Sequence, residues 1–181
     1  MQSQAMNMPP VLYHGTSAKA LESIRVDGLQ PRGSRPGLWK GARSHPGAVY
    51  LTSAYPLYYA GHAVSLDDSS AAVIEVAVDR LDPDCLVPDE DAIEQSRRTD
   101  KHSVTQRSMN RRTAYYRARL HSFVGQAAAS LRVLGTCAHL GTIPVTAIRR
   151  VALIDQRAGC RWLWAGADAV IARSSFAIAG A

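Results

Sequence analysis

The stretch Val11-Leu12-Tyr13-His14-Gly15-Thr16-Ser17 decides how the rest of this chain is read. Residues 11–14 form a short run of β-forming type. Gly15 and Thr16 turn the chain, and Ser17 stands where a helix cap belongs. A helix is expected over 18–27, with Leu21 and Ile24 three apart on one face. Gly28 stops it as a left-handed residue, and Leu29 folds back on it. The opening is therefore strand, tight turn, helix, stop.

Working outward, residues 30–47 hold three prolines and four glycines, which forbid regular structure. A loop that long is usually functional or disordered. A strand follows at 48–52, then a helix at 54–64 with Pro56 in its first turn. Residues 71–79, Ala-Ala-Val-Ile-Glu-Val-Ala-Val-Asp, make the strongest strand in the chain. Residues 81–91 read as a loop carrying an acidic knot, Pro88-Asp89-Glu90-Asp91, and 92–104 are polar. A long helix over 105–134, broken near Gly125, precedes strands at 135–140 and 148–154, and a last hairpin pairs 161–164 with 169–172. Many short strands with few helices make this an α+β chain. Residues 1–10 are expected to be a flexible leader, and 11–181 one domain with a basic helical insertion at 92–134.

Composition narrows the function classes. The chain has 181 residues, 46% hydrophobic and 20% charged, as an ordinary globular protein does. No stretch reaches the roughly 18 apolar residues that span a bilayer, and the N-terminus lacks a signal-peptide pattern, so a cytoplasmic location is expected. Cys85, Cys137 and Cys160 are odd in number and form no Cys-x-x-Cys pair. Inert thiols are expected, with neither a disulfide framework nor a metal site. The net charge of +6 favours an anionic partner.

Two patches carry chemistry. His14, at a strand end beside glycine, can hydrogen-bond a sugar hydroxyl while the Gly15 backbone approaches a flat ring. Four of the seven tyrosines, Tyr50, Tyr55, Tyr58 and Tyr59, fall within ten residues. A tyrosine joins a stacking face to a hydroxyl. The plainer reading of Tyr55, Tyr58 and Tyr59 is that they pack a helix on the sheet.

Leu12-Tyr13-His14-Gly15-Thr16, a helix ending in Asp27-Gly28-Leu29, and Val49-Tyr50-Leu51-Thr52 with tyrosines beyond, together resemble the histidine–tyrosine branch of the ADP-ribosyltransferase superfamily. That branch includes poly-ADP-ribose polymerases, nucleic-acid-modifying toxins and tRNA 2′-phosphotransferases. The resemblance covers residues 11–80 well and runs more loosely to about 155. It implies a split mixed β-sheet core with flanking helices, and NAD as co-substrate. His14 would hold a ribose of NAD, and Gly15 the nicotinamide carboxamide through its backbone, with Thr16 a further cofactor contact. Tyr50 would be the second signature residue. Tyr58 or Tyr59, the latter favoured, would stack on the nicotinamide, with Thr52 and Ser53 along the same wall. Arg32, with Arg35, Lys40 and Arg43, would hold the pyrophosphate.

Family members commonly carry a catalytic glutamate on a later strand, and the matching region here, 129–136, has none. Glu75 is the first candidate, making His14, Tyr50 and Glu75 the expected catalytic set. The acidic knot Asp89-Glu90-Asp91, or Gln126, Ser130 or His139, are the others. The implied mechanism is dissociative: bent NAD, a strained glycosidic bond, and attack by an acceptor on the anomeric carbon.

The acceptor is suggested by a basic segment. Arg97, Arg98, Lys101, Arg107, Arg111, Arg112, Arg117 and Arg119 are opposed only by Asp100, with Tyr115 and Tyr116 between them. Arg107, Arg111, Arg112, Tyr116 and Arg119 are the candidate nucleic-acid contacts. A solvated helix face is the plain alternative, an acidic protein partner a third. The resulting expectation is transfer of ADP-ribose to a macromolecule, nucleic acid before protein. Rivals are an RNA 2′-phosphotransferase-like enzyme, for which Arg43 and His45 are a partial match, and an inactive module that binds NAD or nucleic acid.

Overall fold

Seven strands form one sheet in the order β4-β5-β2-β1-β3-β6-β7. They are β1 (Val11–Ser17), β2 (Ala48–Thr52), β3 (Ala71–Ala77), β4 (Leu86–Pro88), β5 (Thr136–Leu140), β6 (Ile148–Ile154) and β7 (Trp162–Gly166). The computed structural model describes residues 8–33, 44–64, 70–97, 106–154 and 162–166, with backbone alone for 106, 107 and 162–166. Five α-helices accompany the strands among these residues: α1 (Leu21–Asp27), α2 (Pro56–Val64), α3 (Glu90–Ser96), α4 (Gln106–Arg117) and α5 (Ala127–Leu134). The α+β class is as expected.

Every strand pairing is antiparallel, where a mixed sheet was expected. An apolar β-branched run reports burial but not direction, so the strand pattern alone could not decide this. The ladders are uneven. β1 pairs with β3 over seven register positions and β2 with β5 over five, but β1 and β2 share one, Tyr13 opposite Thr52. This thin seam joins the half β4-β5-β2 to the half β1-β3-β6-β7.

Each half is covered on its own terms. One apolar layer runs across both, with Leu12, Val49, Leu51, Ile74, Val76 and Val151 closing on Ile24 of α1. On the opposite face, α2 lays Ala60 and Val64 over Val73 and Ala152. The other half buries Val87 and Ala138 beneath Ile93, Leu120 and Phe123. Ile93 of α3, with Tyr116, Leu120 and Phe123, thus covers one sheet half, their apolar side chains being needed there.

Local departures from the expected elements have local causes. Ser17 makes no side-chain cap, and 18–20 form a 3-10 turn before α1. Gly28, at φ +73°, lets Leu29 pair with Ile143 through two backbone hydrogen bonds. The acidic knot is no loop: Asp89 caps α3 by accepting the Asp91 N–H, so β4 runs directly into a helix. The long helix over 105–134 is α4, a 3-10 turn at 120–123 and α5, with Gly125 at φ +83° between the last two. β7 pairs with β6. The expected hairpin partner 169–172, most of the leader, Arg35, Lys40, Arg43, Cys160, and residues 98–105 of the basic segment lie outside the described residues. No helix among those described is long and apolar enough to cross a membrane.

Candidate functional site

A cavity of about 580 Å³ opens along the β1–β2 seam, within the range of ligand pockets, about 300–1,000 Å³. β1 contributes His14, Gly15 and Thr16 to its wall, β2 Tyr50 and Thr52, α2 Tyr59, and α3 Glu90. It lies where the two sheet halves are joined at one register pair.

His14 and Tyr50 meet across that seam. His14 Nδ1 lies 3.0 Å from the Tyr50 carbonyl oxygen. A carbonyl only accepts, so Nδ1 carries the hydrogen. Burial holds the His14 pKa below the usual imidazole value, and the bond to Tyr50 offsets this only in part. The ring is therefore neutral near pH 7, and Nε2 is left as an acceptor, as a sugar hydroxyl requires.

The Tyr50 side chain is fixed by two bonds. Its hydroxyl accepts from the His45 backbone N–H at 2.7 Å and donates to Glu90 Oε2 at 2.6 Å. Burial, then the charge of Glu90, raises the phenol pKa well above its usual value, so Tyr50 stays a neutral donor. Glu90 is 4% exposed. Burial, then the neighbouring Asp89, pushes its pKa up to about 7.

Asp89, also buried, reaches the same cavity wall, but both of its oxygens are held by neighbours. Oδ1 accepts from Asp91 N–H at 2.9 Å and Oδ2 from the Thr136 hydroxyl at 2.8 Å. Ser130 links the same corner, accepting from Asp89 N–H at 2.9 Å and donating to the Thr136 carbonyl at 2.7 Å. The first residue of β5 is thereby fastened to the start of α3.

The expected catalytic carboxylate Glu75 does not line the cavity. It is buried opposite Tyr13, on β3, and held by Arg150, whose Nη2 reaches Oε2 at 3.0 Å and Oε1 at 3.2 Å; Arg149 Nε lies 3.5 Å away. Its partner is the charge pair that a carboxylate inside an apolar strand needs. The other candidates for the third position are engaged elsewhere: Ser130 as above, His139 beside the Gly141 carbonyl at 3.4 Å, and Gln126 exposed at the start of α5.

The remaining expected cofactor contacts divide. Thr16 lines the cavity, and so does Arg32, which donates to the Ser44 carbonyl at 2.8 Å. Thr52 lines it too, but its hydroxyl donates to the Gly135 carbonyl and accepts from two N–H groups at the start of α2. Ser53 is exposed and off the wall. Tyr59 reaches the cavity, half-buried, its phenol pushed up to about 12 by burial and then by Asp89. Tyr58 is turned outward, edge-on to Tyr59 and His62. Gly15 is on the cavity wall, and on its Cβ side it abuts the α2 backbone.

Among the candidate nucleic-acid contacts, Arg111 and Arg119 are exposed, and the Arg119 guanidinium lies 3.9 Å from the centre of the exposed Tyr115 ring. Arg112 faces Glu94 of α3 at 4.0 Å. Tyr116 is half-buried and packs edge-on to Phe123 in the apolar cover of the sheet half, with Arg97 over its ring. The Arg107 side chain lies outside the described residues.

No family model matches the chain, and no curated protein matches it. A solved structure described as EcPltA is similar to it, with a TM-score of 0.45 at 12% identity, over 86% of this chain and 82% of that one.

Proposed function

We propose that the chain is an NAD-dependent ADP-ribosyltransferase acting on a macromolecular acceptor, nucleic acid before protein. The observation that carries this reading is the meeting of His14 and Tyr50 across the β1–β2 seam, on the wall of a cavity of ligand size. The residues present fit NAD. A neutral histidine offers an acceptor for a ribose hydroxyl, Tyr59 offers a half-buried aromatic face, and Arg32 brings positive charge for a pyrophosphate. NAD supplies an anomeric carbon with nicotinamide as its leaving group. The chain's own residues bind and orient it. Nucleic acid is favoured by the net charge of +6 and by the exposed Arg111, Tyr115 and Arg119 on and just beyond α4.

The test is incubation with labelled NAD and separate pools of DNA, RNA, 2′-phosphorylated RNA and cell protein, following nicotinamide release. Label on DNA or RNA is the expected outcome. An ADP-ribose cyclic phosphate product replaces this reading with the phosphotransferase. NAD bound without turnover makes the chain a binding module, and no NAD binding overturns the proposal.

A further inference from the structure

We propose that Glu90 completes the site as the group that takes the acceptor's proton, entering from the start of α3 rather than from a strand. This rests on the transferase reading above. Three relationships carry it. Glu90 lines the same cavity as His14 and Tyr59. Its Oε2 is fixed by the Tyr50 hydroxyl at 2.6 Å, and that hydroxyl is itself fixed by the His45 N–H, so the carboxyl has a set position rather than a solvent one. Its neighbour Asp89 has both oxygens occupied, by Asp91 N–H and by Thr136. Both adjacent carboxyls reach the cavity, but their partners differ: Asp89 ties α3 to β5 through both oxygens, whereas Glu90 is held by the Tyr50 hydroxyl.

The step balances without a further reactant. The acceptor's O–H or N–H loses its proton to a Glu90 oxygen as the new bond to the anomeric carbon forms. The glycosidic C–N bond breaks, and its electron pair neutralises the nicotinamide ring nitrogen. Glu90 later releases the proton to solvent. Sharing the cavity wall with it are Tyr50 from β2, His14 from β1, Tyr59 from α2, Arg32, and Asp89 and Asp91 beside it, while the His45 N–H bonds the Tyr50 hydroxyl. Arg117 and His121 stand near His45. A base titrating close to pH 7 is well matched to such a transfer.

The test is the pH profile of nicotinamide release with the best acceptor pool, alongside NAD binding by calorimetry. Wild-type kcat/KM is expected to rise with pH through a limb near 7. Glu90→Gln should lose roughly 100-fold or more in rate, lose that limb, and bind NAD within a few-fold of wild type. Glu90→Asp should keep a limb at reduced rate, which separates chemistry from folding. Tyr50→Phe removes a bond that holds the Glu90 pKa down, and so should move the limb to higher pH. A folded Glu90→Gln protein with wild-type rate and limb overturns the role of Glu90 and leaves the transferase reading standing. Wild-type protein that binds no NAD, or leaves it intact with every acceptor, overturns that reading and Glu90's role with it.

Discussion

The backbone of Gly15 on β1 lies directly against that of Ala60 on α2: a Cβ at position 15 would stand 2.3 Å from the Ala60 nitrogen and 2.7 Å from the Tyr59 carbonyl carbon. No side chain fits there without moving the helix, because both neighbours are backbone. Gly15→Ala is therefore expected to cost about 1–3 kcal/mol and to shift Tyr59 off the cavity wall. Thermal unfolding reads the first effect and NAD affinity the second. Unchanged values of both would show that α2 is not seated through Gly15.

Glu75 should matter for stability and not for the cavity. Its carboxylate is nearly inaccessible and is held by Arg150. Arg150→Ala would leave that charge with Arg149 alone at 3.5 Å, at a cost of about 1–3 kcal/mol, less than for a fully buried pair because Arg150 is half exposed. Urea unfolding should record the loss, while ligand affinity of the folded protein stays within a few-fold. A Glu75→Gln protein that folds normally yet loses turnover would return Glu75 to the site.

Stability should fall as pH rises toward 7. Between the usual glutamate value of 4.5 and about 7, the folded protein keeps a proton on Glu90 that the unfolded chain has released. Rising pH thus favours the unfolded state across that window. Asp89, raised by burial, adds to the same slope. Glu90→Gln should remove Glu90's share, making the variant more stable than wild type well above pH 7 by roughly 3 kcal/mol and about equal to it below pH 4.5. Denaturant curves at pH 4 and 8 check this, and equal stability differences at both would refute it.

Arg111 and Arg119 should act on nucleic-acid affinity as charges. Replacing each by alanine is expected to weaken binding of single-stranded oligonucleotides at low salt and to reduce the slope of log affinity against log salt by roughly 0.7 per arginine. Tyr116→Ala should behave differently, losing about 1–3 kcal/mol of stability because its ring packs on Phe123. A salt slope unchanged in the double arginine variant would place the contact elsewhere.

The sequence by itself determined the local grammar of this chain. Residues 11–14 and 48–52 announce strands, Gly28 announces a stop, and His14 and Tyr50 announce themselves as polar residues beside them, because periodicity, β-branching and positive φ act over a few neighbours. The turn expected at Gly15 and Thr16 is instead the continuation of β1, whose pairing with β3 runs to Ser17. β2 and β6 fall on the expected residues. Tertiary structure alone decided which polar groups meet. Glu75 and Glu90 are both acidic residues in or near apolar runs, and nothing local separates them. One finds Arg150 on the adjacent strand, and the other finds Tyr50, forty residues away, at a seam where the sheet pairs only once. Asp89-Glu90-Asp91 resembled a loop for the same reason: a three-residue strand followed at once by a cap leaves no period to recognise, and its partners Ser130, Thr136 and Tyr50 are all distant in sequence. The different partners of those two carboxyls belong to long-range contacts, which strand and helix patterns do not encode.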